Sequence, residues 1–207
     1  VSEANNQWKL IDVYKPTVNE EKNSVTVKRK FSKADGTIFY LTQTWLLNKS
    51  YVINYSVSIN NPNSKNLKFR DLNIWAGGIP PIQYLAGNVA RSEAHRIDVL
   101  LADTNDIESV KASDKQLNNY MIQYEPIKWL SVSDKYFACI LKPIGGKGIF
   151  SAGNINHGYT QKALDENGKE VEYTVICAAG RMGSTEIQPN SKQTWDFEYY
   201  AGPKDVM

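Results

Sequence analysis

Histidine, cysteine and methionine are scarce in this chain of 207 residues, at two, two and three copies. Two histidines cannot assemble a His-rich metal centre, and HExxH is absent. Cys139 and Cys177 are 38 positions apart, so neither a zinc-binding nor a thioredoxin-type CxxC motif exists. Each lies in an apolar run, where a thiol behaves as a small hydrophobe, and buried free thiols are expected. Charge of one sign is missing too: 24 basic against 22 acidic side chains leave +2. That balance excludes a polyanion-binding surface built on bulk charge, and nucleic acid is not an expected partner. The compact basic run Lys28-Arg29-Lys30 alternates with strand residues and reads as a solvated edge. No stretch approaches the roughly 18 continuous apolar residues that cross a bilayer, and no positively charged leader with an apolar core opens the chain. It begins at Val1 and reads as a piece of something longer.

What is present is a folding composition, with 42% hydrophobic and 22% charged residues, which excludes disorder. The dominant period is two. From Tyr51 to Asn60 the odd positions Tyr51, Ile53, Tyr55, Val57 and Ile59 are apolar and the even ones are mostly Asn and Ser. A strand with that pattern buries one face and wets the other. Residues 37–47 place Phe39, Leu41, Trp45 and Leu47 on one face, and Val25 to Phe31 alternates as well. Asp35-Gly36 is a tight hairpin signal between these two strands, and Asn48-Lys49-Ser50 is the next turn. Three consecutive antiparallel strands therefore fill residues 25–60.

The second half repeats the grammar. Residues 135–142 are apolar on both faces, as a central sandwich strand would be, and Pro143 with Gly145 to Gly148 closes them. Asn167-Gly168 is another hairpin turn. In 193–200, Trp195, Phe197 and Tyr199 share one face. Helix signals are few: Ile97, Leu100 and Leu101, then Ile107, Val110 and Leu117, have helix-compatible spacing in segments polar enough to be loops with one or two helical turns. About ten to twelve strands separated by turn chemistry point to an all-β, large two-sheet sandwich, a single domain over 1–207 with at most one or two short helices.

Standard catalytic spacings are missing. Gly146-Lys147 is followed by Gly148, so the hydroxyl and loop length of a phosphate-binding loop are absent. Asp165 to Gly168 resembles part of a calcium loop, but Lys169 takes the fifth ligand position, leaving a hairpin turn. Ser184 after Gly180 to Gly183 lacks the glycine pattern of a nucleophile elbow. His95, among Ser92, Glu93 and Arg96, reads as solvated, and His157 as part of a surface loop. Trp45, Trp129 and Trp195 sit beside apolar neighbours and read as core, not as a sugar platform. No catalytic, cofactor or metal residue is assigned.

Three segments resemble one family, in its order. Tyr51 to Asn61 is similar to the strand-then-Asn pattern early in the large periplasmic domain of the YidC membrane-protein insertases. Residues 127–143 resemble that family's Trp–YFA–Pro segment, with Trp129, Tyr136, Phe137, Ala138 and Pro143 in place. Ile187-Gln188-Pro189, followed by Tyr199-Tyr-Ala-Gly-Pro-Lys204, is similar to its closing strand.

The resemblance implies a supersandwich similar to galactose mutarotases, on the periplasmic face of the bacterial inner membrane. It implies a domain without an enzymatic step, a monomer when isolated, without cofactor. Its implied partners are Sec translocon accessory proteins and membrane-protein clients. The alternative is a carbohydrate-binding or aldose-epimerase-like domain, in which His95 and His157 would have to meet near Glu172 or Glu186. One residue-level role follows: Gly202 and Pro203 would end the last strand and redirect the chain toward the bilayer, because Gly permits an unusual turn and Pro fixes φ.

Overall fold

The computed structural model describes residues 7–70, 72–79, 96–111, 126–134, 136–145, 151–154, 160–164, 168–174 and 176–204. Among them are β1 (Lys9–Val13), β2 (Thr17–Asn19), β3 (Ser24–Ser32), β4 (Ile38–Lys49), β5 (Val52–Asn61) and β6 (Leu67–Phe69). Then follow β7 (Asn73–Ile79), β8 (Arg96–Leu101), β9 (Ile107–Lys111), β10 (Ile127–Ser133), β11 (Phe137–Ile144) and β12 (Ser151–Asn154). The last five are β13 (Thr160–Leu164), β14 (Glu170–Thr174), β15 (Ile176–Arg181), β16 (Thr185–Ile187) and β17 (Ser191–Pro203). No α-helix occurs among the described residues. The chain folds as two compact units, Val1–Leu72 with Ile144–Lys147 and Ser184–Glu198, and Asn73–Pro143 with Gly148–Gly183 and Tyr199–Met207.

In the first unit the sheet runs β1-β3-β4-β5-β17, with β2 pairing the same side of β3 as a continuation of β1. The expected triplet β3-β4-β5 is there, in regular register from Ser24↔Leu46 to Ser32↔Ile38 and from Tyr40↔Asn60 to Leu47↔Ile53. Gly36 supplies the left-handed φ of 83° that the β3–β4 turn demands. Tyr51, at φ 64°, does the same between β4 and β5. The buried face gathers Phe39, Val57, Ile59, Trp195 and Phe197. The small sheet β6-β16 joins it through Phe69, edge-on to Phe39 at 5.3 Å and stacked with Trp8 at 5.9 Å. Lys28-Arg29-Lys30 lies in β3, one strand in from the edge, and Lys28 Nζ sits 4.3 Å over the Tyr40 ring.

The second unit sets β17, from Tyr199 on, beside β11, followed by β10, β8 and β9. A second sheet, β12-β15-β7, packs on β10. Covered on both sides, β10 buries Leu130, Ser131, Val132 and Ser133 in succession. The segment whose spacing allowed a helical turn is β8: Ile97, Val99 and Leu101 alternate into the core. Asp98 between them disguises the strand; it is buried because Arg96 Nε lies 2.8 Å from one carboxylate oxygen and Ser109 Oγ donates to the other at 2.6 Å. Residues 107–111 are β9 and pair with β8, while 92–95 and 112–117 lie outside the described residues. Both cysteines are free thiols, Cys177 buried and Cys139 half-buried. Gly77 kinks β7 at φ 122°, and a Cβ there would stand 3.0 Å from Tyr199 Oη and 3.1 Å from Cys139 Cβ. Burial, and then the hydrogen bond with Cys139, push the Tyr199 phenol far above its usual range.

Candidate functional site

Two assemblies of side chains stand out, one in each unit. The first is an open groove of about 540 Å³ whose walls include Trp8, Lys33, Asp35, Asn63, Asn66 and Lys68. The loop 62–66 along this groove is anchored from beneath by Asn61, which closes the strand-then-Asn segment and is fully buried. The Asn61 amide donates to the carbonyls of Lys65 (2.9 Å), Ile187 (2.9 Å) and Gln188 (3.0 Å). Its oxygen accepts from the Asn63 backbone at 3.0 Å and side chain at 2.7 Å. Asn63 in turn clasps both backbone groups of Ile38, at 2.6 and 3.2 Å. Loop 62–66 is thereby fixed to the start of β4 and the end of β16. Lys33 Nζ lies 4.8 Å over the Trp8 ring, a cation held on an aromatic face.

Two carboxylates of this unit, Asp35 and Glu186, are held ionised. The backbone N–H of Thr37 donates to Asp35 at 2.9 Å and keeps that carboxyl below its usual pKa. The Asn66 amide, and after it Lys68 at 3.4 Å, does the same for Glu186. General acid–base work at neutral pH calls for the opposite displacement, upward toward the operating pH.

The second assembly is the turn between β10 and β11. Asp134 is buried and accepts from the N–H groups of Tyr136 and Phe137, each at 2.6 Å. Ala138 packs inward, while Tyr136 and Phe137 stand more than half exposed. The carbonyl of Tyr136 accepts from Lys204 N at 2.8 Å, so the Trp–YFA–Pro and closing-strand segments meet at one turn. Burial first, then Arg96, lower the Lys204 pKa, with Asp98 and Asp134 acting against them.

β17 continues through Gly202, which is buried, to Pro203, and Tyr200 Oη donates to the Pro203 carbonyl. Gly202 is not among the positive-φ glycines, so the unusual turn expected of it is not there. His95 and His157 lie outside the described residues, as do Asp165 to Asn167 and Gly146 to Gly148. Glu172 is in β14 opposite Lys162, in the second unit, and Glu186 is in the first. Among the described residues no group of His, Cys, Asp and Glu could hold a metal. Sequence reasoning passed over Trp8, Lys33, Asn63 and Asn66. Asn63 reaches Ile38 across 25 positions and Asn66 reaches Glu186 across 120, and no local pattern carries such a distance.

The fold is similar to that of solved structures of galactose-mutarotase-like β-sandwiches. A galactose mutarotase related enzyme from Lactobacillus acidophilus superposes with a TM-score of 0.54 at 10% identity, over 91% of this chain and 71% of its own. A GalM/aldose epimerase homologue from C. elegans does so at 0.51 and 7%, over 95% of this chain and 68% of its own. Galactose 1-epimerase from Lactobacillus acidophilus NCFM gives 0.50 at 10%, over 95% and 66%. At such identities the likeness is one of fold alone. The model of the YidC periplasmic domain family matches residues 1–207, and the chain belongs to that family. No curated protein sequence matches it significantly.

Proposed function

We propose that this chain is the non-catalytic periplasmic domain of a YidC-type inner-membrane insertase, an accessory platform that contacts Sec translocon components or client proteins during insertion. Membership of the family along the whole chain is the observation that carries this reading. The chemistry of the groove agrees with it: Asn61, Asn63 and Asn66 spend their amides on shaping the loop, and Asp35 and Glu186 are held ionised. On this reading the chain resides at the periplasmic face of the inner membrane and is monomeric in isolation.

Gly202 and Pro203 are the proposed membrane-side junction, now as the buried and φ-fixed end of β17. Changing both to Ala in the intact insertase should lower the output of a membrane-insertion reporter strain while the domain stays folded. Unchanged output discards that role. The rival sugar-processing reading draws on the fold likeness and on the Trp8 wall. Calorimetric titration with a panel of hexoses and polarimetry on freshly dissolved glucose decide it. Neither heat nor accelerated mutarotation is expected, and a saturable hexose isotherm would replace the platform reading.

A further inference from the structure

β1 and β2 lie end to end along β3 and form the outer edge of the first unit's sheet, and residues 9–23 are exposed throughout. Such an edge is ordinarily blunted with charge. This one instead carries Leu10, Ile11 and Val13, each about half exposed, and Val18, which is 63% exposed. Val18 faces Val25, itself exposed, across the β2–β3 ladder, which makes an apolar pair open to solvent. Around this strip the charge balance of the chain breaks down: residues 7–32 hold six basic and three acidic side chains. Lys28 Nζ stands 5.3 Å over Tyr14 and 4.3 Å over Tyr40, and Lys30 lies 6.0 Å over Tyr40. The registers put Leu10, Val13 and Val18 on the face of Phe31, Arg29 and Val25, and Lys28 and Lys30 with Tyr14 and Tyr40 on the opposite face. Only an edge-on approach presents both, apolar tips from one face and aromatic rings with long aliphatic stems from the other, as a water–hydrocarbon boundary demands.

We propose that this edge docks on an anionic phospholipid surface, with Leu10, Val13 and Val18 entering the headgroup layer and Lys15, Lys28 and Lys30 meeting lipid phosphates. A peptide or second copy adding a strand would need a regular ladder of free N–H and C=O groups. β1 denies it, because the register shifts between Leu10 and Asp12, and Pro16 between β1 and β2 has no N–H to give. Attachment to lipid makes no demand on that ladder. It needs exposed apolar area plus positive charge, and both are here.

Co-sedimentation of the 207-residue chain with vesicles of phosphatidylcholine, alone or mixed with phosphatidylglycerol, tests this directly. Binding is expected to the mixed vesicles only and should weaken as salt rises. Leu10→Asn with Val13→Asn should cost about tenfold or more in partitioning, and Lys28→Gln or Lys30→Gln about fivefold each. If the double variant loses its far-UV β signal, the single Val18→Asn, at a position with no core role, carries the same test. Several results overturn the proposal: no binding to anionic vesicles, equal binding to neutral ones, or binding that ignores these variants. So does a concentration-dependent dimer, or capture of an extended apolar peptide, that consumes the same residues without lipid. Vesicle binding and insertion-reporter output are separate readouts, so this inference and the platform reading can each fail alone.

Discussion

β10 and β1 are strands of similar length with opposite fates. From Leu130 on, β10 is buried on both faces, so that even Ser131 and Ser133 are covered, whereas β1 is exposed at every position although three of its five residues, Leu10, Ile11 and Val13, are apolar. The difference is one of neighbours. β10 lies between β8 and β11 and beneath β7 and β15, while β1 has one partner, β3, and ends the sheet. Hydrophobicity of a segment thus says little about its burial until the strand order is known.

Five substitutions and one titration press on that contrast between closed interior and open margin. The largest effect is expected at Phe197, wholly buried and 6.0 Å from the Tyr55 ring: Phe197→Ala should cost about 3–5 kcal/mol in urea denaturation. Asn61→Ala follows, at about 2–3 kcal/mol, because three carbonyls lose their donor in a site with little water. Gly77→Ala should cost about 1–3 kcal/mol, through left-handed strain and a Cβ pressed on Tyr199 and Cys139. Gly36→Ala, with a left-handed φ but nothing within 4 Å, should cost only about 1 kcal/mol, and a reversal of that pair would contradict the packing around Cys139. Val18→Ser, at the margin, should stay within about 0.5 kcal/mol.

Acid titration is the subtlest. Asp35 and Glu186 have lowered pKa values when folded, so each adds stability above its unfolded pKa, and that increment fades as pH falls through the folded value. Asp35→Asn should therefore flatten a small loss of stability below about pH 4, read as the urea midpoint against pH.

The same contrast explains what could be read beforehand. β3, β4, β5 and β17 were legible because period two survives in their residues and because Gly36 marks its turn chemically. The wet face expected of β5 is not there, however: Ser58 is buried between Val57 and Ile59. β8 was obscured where both faces are covered: a buried Asp98, paired locally with Arg96 and Ser109, breaks the apolar alternation from within. The groove was illegible for another reason. The anchoring of its loop depends on Asn61 reaching carbonyls 126 and 127 positions later, a relation that only the finished fold creates.

β17 begins in one compact unit and finishes in the other, with β5 and β11 as its neighbours. Ladder hydrogen bonds stand across the strand direction, so tension applied along the stretch of this strand within either unit would load that unit's own ladder in shear and not peel it bond by bond. A tug on the carboxyl-terminal stretch from Tyr199 should therefore meet a stiff, brittle element, and optical-tweezer traces would show an abrupt step at high force as it gives way.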